Sequence, residues 1–164
     1  MLQQQIQDYF TTAIPFWDMG IRLAVAGLLG SLLGFEREWR SRPAGLRTHI
    51  LVSIACAVFA LTALEMVKQP IFEGDTLRFD PIRLVEAITA GVAFLAAGFI
   101  IFKKGTVQGI TTGAGMWLAA SVGLAAGLGI FSLALLACSG GLVVLVALRR
   151  LEVRLDLKEK DDQD

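Results

Sequence analysis

The sequence predicts an all-α fold: a polytopic membrane protein built as a bundle of five transmembrane helices. Two observations predict this class. Of the 164 residues, 55% are hydrophobic and only 18% are charged, which is too apolar for a soluble domain of this size. The apolar residues are also gathered into long runs, and a helix of about 20 such residues crosses the roughly 30 Å hydrocarbon core.

Three apolar runs in the first two thirds of the chain predict spans at about residues 19–35, 49–67 and 82–102. Residues 105–148 then contain no Asp, Glu, Lys, Arg or His, and a single helix of that length would measure about 66 Å, twice the core thickness. The run is therefore predicted to form two spans, 106–126 and 130–148. Glycine tolerates tight turns and is unfavourable inside helices, so the break is predicted at Gly127, Leu128 and Gly129.

The polar segment between the first two spans reads GFEREWRSRPAGLRTH and contains Arg37, Arg40, Arg42 and Arg47. A bilayer centre cannot hold four arginines together, since each costs about 2.5–3.5 kcal/mol there. With the N-terminus outside, eleven of the 15 basic residues fall on the inner side. The positive-inside rule therefore predicts an outside N-terminus and a cytoplasmic C-terminus, with these arginines contacting lipid phosphates.

The two ends of the chain flank this transmembrane domain of residues 19–148. Residues 1–18 are predicted to form an N-terminal interfacial segment without a cleavable signal peptide, and residues 149–164 a charged cytoplasmic tail. Cys56 and Cys138 fall in apolar runs and are predicted to be buried free thiols. The net charge of zero gives no indication of a nucleic-acid partner.

Small residues recur at a spacing of four on two spans, as Ala26, Gly30 and Gly34 on the first and as Gly115, Ala119, Gly123 and Gly127 on the fourth. Such ladders let helix backbones approach closely in lipid. Tight packing within one protomer is the favoured interpretation. A homo-oligomeric face, such as that of a dimer, is the alternative.

Ionisable residues inside spans are functional candidates. Arg22, Glu65, Arg83 and Glu86 are predicted to reach a similar depth near the outer side and to form a polar membrane cluster. Two interpretations remain open, namely charge pairing that makes the span ends tolerable, and a cation or proton site.

On the inner side, residues 43–49 and 109–115 are rich in Pro and Gly and predict irregular backbone in a packed re-entrant corner. His49 is predicted to be a hydrogen-bonded boundary residue, because no second His or Cys stands at ligand spacing, so no metal is assigned. The sequence contains no catalytic nucleophile and base pair, phosphate-binding loop or zinc motif. Neither an enzyme nor a cofactor is expected.

Four blocks of the sequence resemble the MgtC/SapB family of bacterial inner-membrane proteins. They are RLAVAGLLGSLLGFERE (22–38), AGLRT (44–48), DPIRLVEAITAGVAFLAAG (80–98) and GITTGAGMW (109–117). The motif positions are Gly34, Glu36, Arg37, Glu38, Ala44, Gly45, Leu46, Arg47, Thr48, Asp80, Pro81, Arg83, Gly91, Phe94, Gly98, Gly109, Thr111, Thr112 and Trp117. The chain departs from the family pattern at Ala93 and Ala96, where glycines are usual, and at Glu86, where glutamine is usual.

The resemblance implies a multi-pass inner-membrane protein linked to growth in low magnesium and, in pathogens, to survival within host cells. At least one member is thought to restrain the rotary ATP synthase through its membrane sector. Larger members carry a soluble C-terminal domain, and the chain resembles a short form without it. We therefore expect a regulator that contacts other membrane proteins, with a small oligomeric cation channel or transporter as the alternative.

Overall fold

The computed structural model describes residues 12–68, 80–103, 106–148 and 150. Within these residues the fold comprises five α-helices and one β-hairpin. In chain order they are α1 (Phe16–Trp39), α2 (Leu46–Lys68), α3 (Pro81–Ala97), β1 (Ile101–Lys103), β2 (Thr106–Gln108), α4 (Ile110–Gly127) and α5 (Phe131–Val143), which continues as a π-helical turn over Val144–Leu148. Most of the predicted interfacial segment and the tail beyond residue 150 lie outside the described residues.

Helix α1 begins directly after Pro15, whose carbonyl accepts hydrogen bonds from the N–H groups of Asp18 and Met19. Asp18 lies in the first turn, where the helix dipole favours a negative charge, and it pairs with Arg22 one turn later at 2.9 Å. The helix extends to Trp39, beyond the predicted span end at residue 35. The first part of the arginine-rich segment is therefore helical.

A short connection returns the chain from α1 into α2. Ser41 turns the backbone with φ of 53°. The carboxylate of Glu38 then accepts a hydrogen bond of 2.9 Å from the N–H of Leu46, the first residue of α2. This bond satisfies one of the amides that a helix start leaves without an intrahelical partner.

Helix α3 begins at a side-chain cap and ends earlier than predicted. Asp80 accepts a hydrogen bond from the N–H of Ile82 at 3.0 Å, and Pro81 occupies the first turn, where its missing N–H costs nothing. The sequence predicts a span over 82–102, but the helix stops at Ala97. Gly98 follows the helix as its C-cap, and strand β1 begins three residues later at Ile101.

The β-hairpin between α3 and α4 corrects the all-α prediction. Strands β1 and β2 pair antiparallel, with Ile101 opposite Gln108 and Lys103 opposite Thr106. The predicted fourth span starts at residue 106, whereas α4 starts at Ile110. Gly109 makes this possible, because its φ of 90° is a conformation that glycine adopts without a steric penalty.

Helices α4 and α5 are separated where the glycine pair predicts the break. Helix α4 ends at Gly127, and Gly129 has φ of 80°, which redirects the chain into α5. The N–H groups of Leu128, Gly129 and Ile130 return to carbonyls at the end of α4. The uncharged stretch therefore forms two helices.

Helices α1, α2 and α4 form the centre of the fold, α5 packs against α4 and α1, and α3 packs mainly against α4 at the edge. Small residues dominate the main core cluster, which comprises Ala26, Leu29, Leu33, Ala57, Ala119, Val122, Ala125, Ala126, Ala134 and Cys138. Cys56 and Cys138 are both buried and free, as predicted.

Three of the described helices are long and apolar enough to cross a membrane: Phe16–Trp39, Leu46–Val67 and Ile110–Gly127. The segment Phe131–Ala147 is a shorter apolar helix. These lengths and compositions agree with a membrane protein.

Candidate functional site

Four polar or charged side chains are buried among the residues that the structure describes: Arg37 on α1, His49 and Ser53 on α2, and Thr112 on α4. We call this set the polar seam, since it lies where the three central helices meet. A buried polar group without a hydrogen-bond partner costs about 1–3 kcal/mol. The partners of each member therefore decide whether the seam stabilises the fold.

Arg37 joins α1 to α4. Its side chain is only 5% exposed, and Nη2 donates a hydrogen bond of 2.6 Å to Oγ1 of Thr112. Arg37 therefore lies inside the protein, and the contact of the arginine-rich segment with lipid phosphates stays a prediction. It shares a helix face with Ala26 and Leu33, both buried, and this continuation of the apolar face is the sequence signal for its inward direction.

His49 joins α2 to α4. Its Nδ1 lies 2.9 Å from the carbonyl oxygen of Gly45, and because a carbonyl only accepts, Nδ1 is the donor. In the neutral ring, Nε2 is then an acceptor. This atom is buried next to Gly115 and has no hydrogen-bond partner among the described residues. The ring is fully buried in the first turn of α2, and the predicted hydrogen bond is present.

Glycines hold the three central helices in backbone contact around the seam. A methyl group at Gly30 would lie 2.9 Å from the carbonyl oxygen of His49, and one at Gly123 would lie 2.7 Å from Cα of Ser53. Ser53 in turn donates a hydrogen bond of 2.8 Å to the carbonyl of Ala26. The small-residue ladders are therefore used within the protomer, as the favoured interpretation predicted.

The AGLRT block supports the turn into α2. A methyl group at Gly45 would collide with the carboxylate of Glu38, the group that caps α2 at Leu46. Ala44 beside it is fully buried. Arg47 and Thr48 lie in the first turn of α2, and Arg47 is exposed.

The start of α4 lies against this end of α1, but it is more regular than predicted. Irregular backbone was expected over 109–115, whereas the α-helix includes every residue from Ile110 onward. Only Gly109 departs from helical geometry, and a methyl group there would overlap the carbonyl of Phe99. The close approach of Gly115 to His49 brings the two predicted halves of the corner together.

An open cavity of about 500 Å³ lies at the same end of the bundle, and we call it the arginine cavity. Three guanidinium groups and one carboxylate line it, together with the start of α4 and the end of α5. Its lining residues are Glu36, Arg37, Arg40, Arg42, Val107, Gly109, Ile110, Thr111, Thr112, Val144 and Leu145. Glu36 and Arg40 form a salt bridge one helical turn apart.

The predicted outer cluster is divided between two places. Arg22 pairs with Asp18 and donates a hydrogen bond of 3.0 Å to the carbonyl of Gly127. Glu65 accepts hydrogen bonds from the N–H groups of residues 13 and 14. Both residues therefore make contacts that secure the ends of helices.

The other two members of that cluster lie on α3. Arg83 is 85% exposed and its Nε lies 4.0 Å from the carboxylate of Asp80. Glu86 is exposed and has no hydrogen bond or salt bridge to any residue that the structure describes. No such bond links any two of the four cluster residues, and α3, which carries Arg83 and Glu86, packs mainly against α4, where no cluster residue lies.

The remaining motif positions face outward. Phe94 on α3 is 82% exposed, a methyl group at Gly91 would meet no atom within 4 Å, and Trp117 on α4 is half exposed. No group of three or more His, Cys, Asp or Glu residues that could hold a metal occurs in the described part of the chain. The functional candidates are therefore the polar seam, the arginine cavity and the exposed face of α3.

Comparison with known proteins identifies the family. A family model described as the MgtC family matches residues 23–154. MgtC of Salmonella typhimurium is 38% identical over 136 residues, which cover 83% of this chain and 54% of that protein. An uncharacterized protein of Synechocystis is 42% identical over 131 residues, covering 80% of this chain and 52% of the relative.

A third relative is YhiD of Escherichia coli K12, which is named as a candidate magnesium transporter. It is 32% identical over 135 residues, which cover 82% of this chain and 62% of that protein. The chain thus spans about half to three fifths of the length of these relatives. No solved structure matches the chain. Because the family model covers most of its residues, the chain belongs to the MgtC family.

Proposed function

We propose that this chain is a multi-pass protein of the bacterial inner membrane that regulates other membrane proteins by direct helix contact when magnesium is limiting. Family membership supports a membrane protein linked to magnesium. In a pathogen the same activity would serve survival within host cells. The membrane sector of the ATP synthase is one partner that the family resemblance implies.

The proposed topology has five spans, with the N-terminus outside and the C-terminus cytoplasmic. Helix α3 has 17 residues and measures about 26 Å, close to the roughly 30 Å core. Helix α5 and its π-helical turn have a similar combined length. The arginine-rich end of the bundle then faces the cytoplasm, as the positive-inside rule requires.

The backbone contact between the three central helices is the main support for a regulator. A methyl group at Gly34 would lie 2.8 Å from Cα of Leu46, and one at Gly127 would lie 2.6 Å from Cα of Ala57. Interfaces this close leave no width between these helices for a hydrated ion. This supports a protein that acts through its outer surface.

The exposed face of α3 is the proposed contact surface. Its large apolar side chains Phe94 and Leu95 are exposed, and Gly91 lies open one helical turn before them. Small residues next to large ones permit close helix approach in lipid. Because α3 packs mainly against α4 and only slightly against α2, this face is available to a partner helix.

Photo-crosslinking in living cells tests the proposal. A photoreactive phenylalanine replaces Phe94 on α3 or, as a matched control, Leu136 on α5, which is also a well-exposed apolar residue. We expect a discrete protein adduct from position 94 in magnesium-starved cells, and lipid adducts only from position 136. The test requires cells whose growth at low magnesium depends on the protein. If position 94 forms adducts only with lipid in these cells, the proposed contact through α3 is contradicted.

An oligomeric cation channel is the second candidate, favoured by Glu86. This carboxylate is exposed on a helix that the proposal places in the membrane, and it has no partner among the described residues. A charge in that position is costly unless it faces another chain or water. If Glu86 lines a pathway between copies of the chain, the Glu86→Gln variant should insert into the membrane normally but lose the magnesium-dependent phenotype. Normal insertion with an unchanged phenotype rules out this role.

A further inference from the structure

We propose that the arginine cavity and the apolar groove beside it bind one anionic phospholipid, with the lipid phosphate held in the cavity and an acyl chain in the groove. This site is independent of the protein partner proposed above. It depends on charge, on hydrogen-bond donors and on the continuity of two concave surfaces.

The charge of the cavity favours an anion. Arg37, Arg40 and Arg42 line it with one carboxylate, that of Glu36, so its side chains carry a formal excess of positive charge. Glu36 neutralises Arg40 in part through their salt bridge. Arg42 is exposed and its guanidinium makes no hydrogen bond or salt bridge to the residues that the structure describes. Arginine binds phosphate with paired N–H donors, which suits this role.

The start of α4 lines the same space. Gly109, which precedes the helix, and Ile110, its first residue, both lie in the cavity wall, and no side chain caps the first turn. The first amides of a helix lack intrahelical partners and carry the positive end of the helix dipole. A phosphate at this position would satisfy them.

A second, independent observation indicates that a ligand completes the cavity. The side chain of Glu36 is only 9% exposed, and its Oε2 is buried without a hydrogen-bond partner among the described residues. A buried carboxylate oxygen requires a donor. A hydroxyl group on a glycerol headgroup supplies one while the neighbouring phosphate contacts the arginines.

The groove identifies the ligand as a lipid rather than free phosphate. It has a volume of about 440 Å³, is lined mostly by Leu32, Phe35, Trp39 and Leu142, and shares Glu36 and Arg40 with the arginine cavity. The arginine cavity and the apolar groove thus form one continuous surface on the outside of α1. Soluble phosphate would use only the first half of it.

Native mass spectrometry of the full chain tests the site. The protein is released from nanodiscs that contain equal amounts of phosphatidylglycerol and phosphatidylcholine. We expect the wild type to retain phosphatidylglycerol about tenfold over phosphatidylcholine, and Arg42→Gln to lose this preference, since a hydrogen bond to a charged group contributes about tenfold or more in affinity.

Arg47→Gln is the matched control, because Arg47 is also exposed but does not line the cavity. The control should retain the preference, and both variants should melt at the wild-type temperature. Equal retention of the two lipids by the wild type overturns the proposal, as does an equal loss in both variants.

Inorganic phosphate separates the two sources of the phosphate group. It is titrated into protein held in nanodiscs of phosphatidylcholine alone. One outcome is that inorganic phosphate binds, that Arg42→Gln weakens this binding, and that phosphatidylglycerol is not retained. This outcome assigns the cavity to a soluble anion and overturns the proposal of a lipid ligand. A further variant, Leu142→Trp, narrows the groove and should reduce lipid retention without affecting the phosphate titration.

Discussion

Arg37 illustrates how a charge is accommodated inside this helix bundle. A buried guanidinium is strongly unfavourable unless its donors are satisfied, and the bond to Thr112 satisfies one of them. The bond also connects the end of α1 to the start of α4, the wall of the arginine cavity. The same contact therefore stabilises the fold and positions the cavity.

Removing the acceptor tests this role. Thr112→Val removes the acceptor of this buried, charge-assisted hydrogen bond and should destabilise the folded protein by about 1–3 kcal/mol. Thr111→Val is the matched control, because Thr111 is the exposed neighbour, and it should have little effect. Thermal unfolding in detergent, followed by circular dichroism, measures both. Equal melting temperatures for the two variants would show that the bond contributes nothing.

The position of the arginine-rich segment is predictable from the sequence, but the direction of its individual side chains is not. Four arginines in one polar segment indicate a membrane boundary, yet they do not tell which one turns inward. That depends on the helix continuing through Trp39, which keeps Arg37 on the buried face. Glu86 and Arg22 stay apart for a similar reason, since depth along a helix does not determine which helices are neighbours.

Among the elements, the glycine contacts make the most specific prediction. Gly123→Ala places a methyl group against the backbone of Ser53, which cannot move without displacing α2. We expect a loss of about 1–3 kcal/mol in stability. Gly140→Ala on α5 is the control, because a methyl group there meets no atom within 4 Å and alanine favours the helix.

Melting curves and size-exclusion chromatography distinguish these two variants. Gly123→Ala should melt earlier and elute as a broader species, while Gly140→Ala should behave like the wild type or melt slightly later. A higher melting temperature for Gly123→Ala than for Gly140→Ala would mean that the central helices are not in backbone contact.

The helices were largely predictable from the sequence, and the hairpin was not. Long apolar runs predict α1, α2 and α4, and paired glycines predict the turn at Gly129. The strand Ile101–Lys103 continues the apolar run of α3, so composition alone cannot separate the two. Part of the difference comes from Gly109, whose left-handed backbone, with φ of 90°, directly precedes the first turn of α4.

For the whole molecule, the proposed orientation follows from the uneven distribution of charge. Thr12 lies before α1 and Ser41 follows it, so the two should lie on opposite sides of the membrane. In intact spheroplasts, a membrane-impermeant thiol reagent should label Thr12→Cys, and it should label Ser41→Cys only after permeabilisation. Cys56 and Cys138 are buried and provide little background. The reverse labelling pattern would invert the topology.

We propose that the protein acts through its outer surface and does not conduct ions. Its central helices are in backbone contact, while its exposed apolar side chains lie on α3 and around the bundle. The most direct test is the flux of magnesium and monovalent cations into liposomes that contain only the purified chain. We predict no flux above that of empty liposomes, with folding verified by circular dichroism. Selective cation flux that Glu86→Gln abolishes would contradict the account.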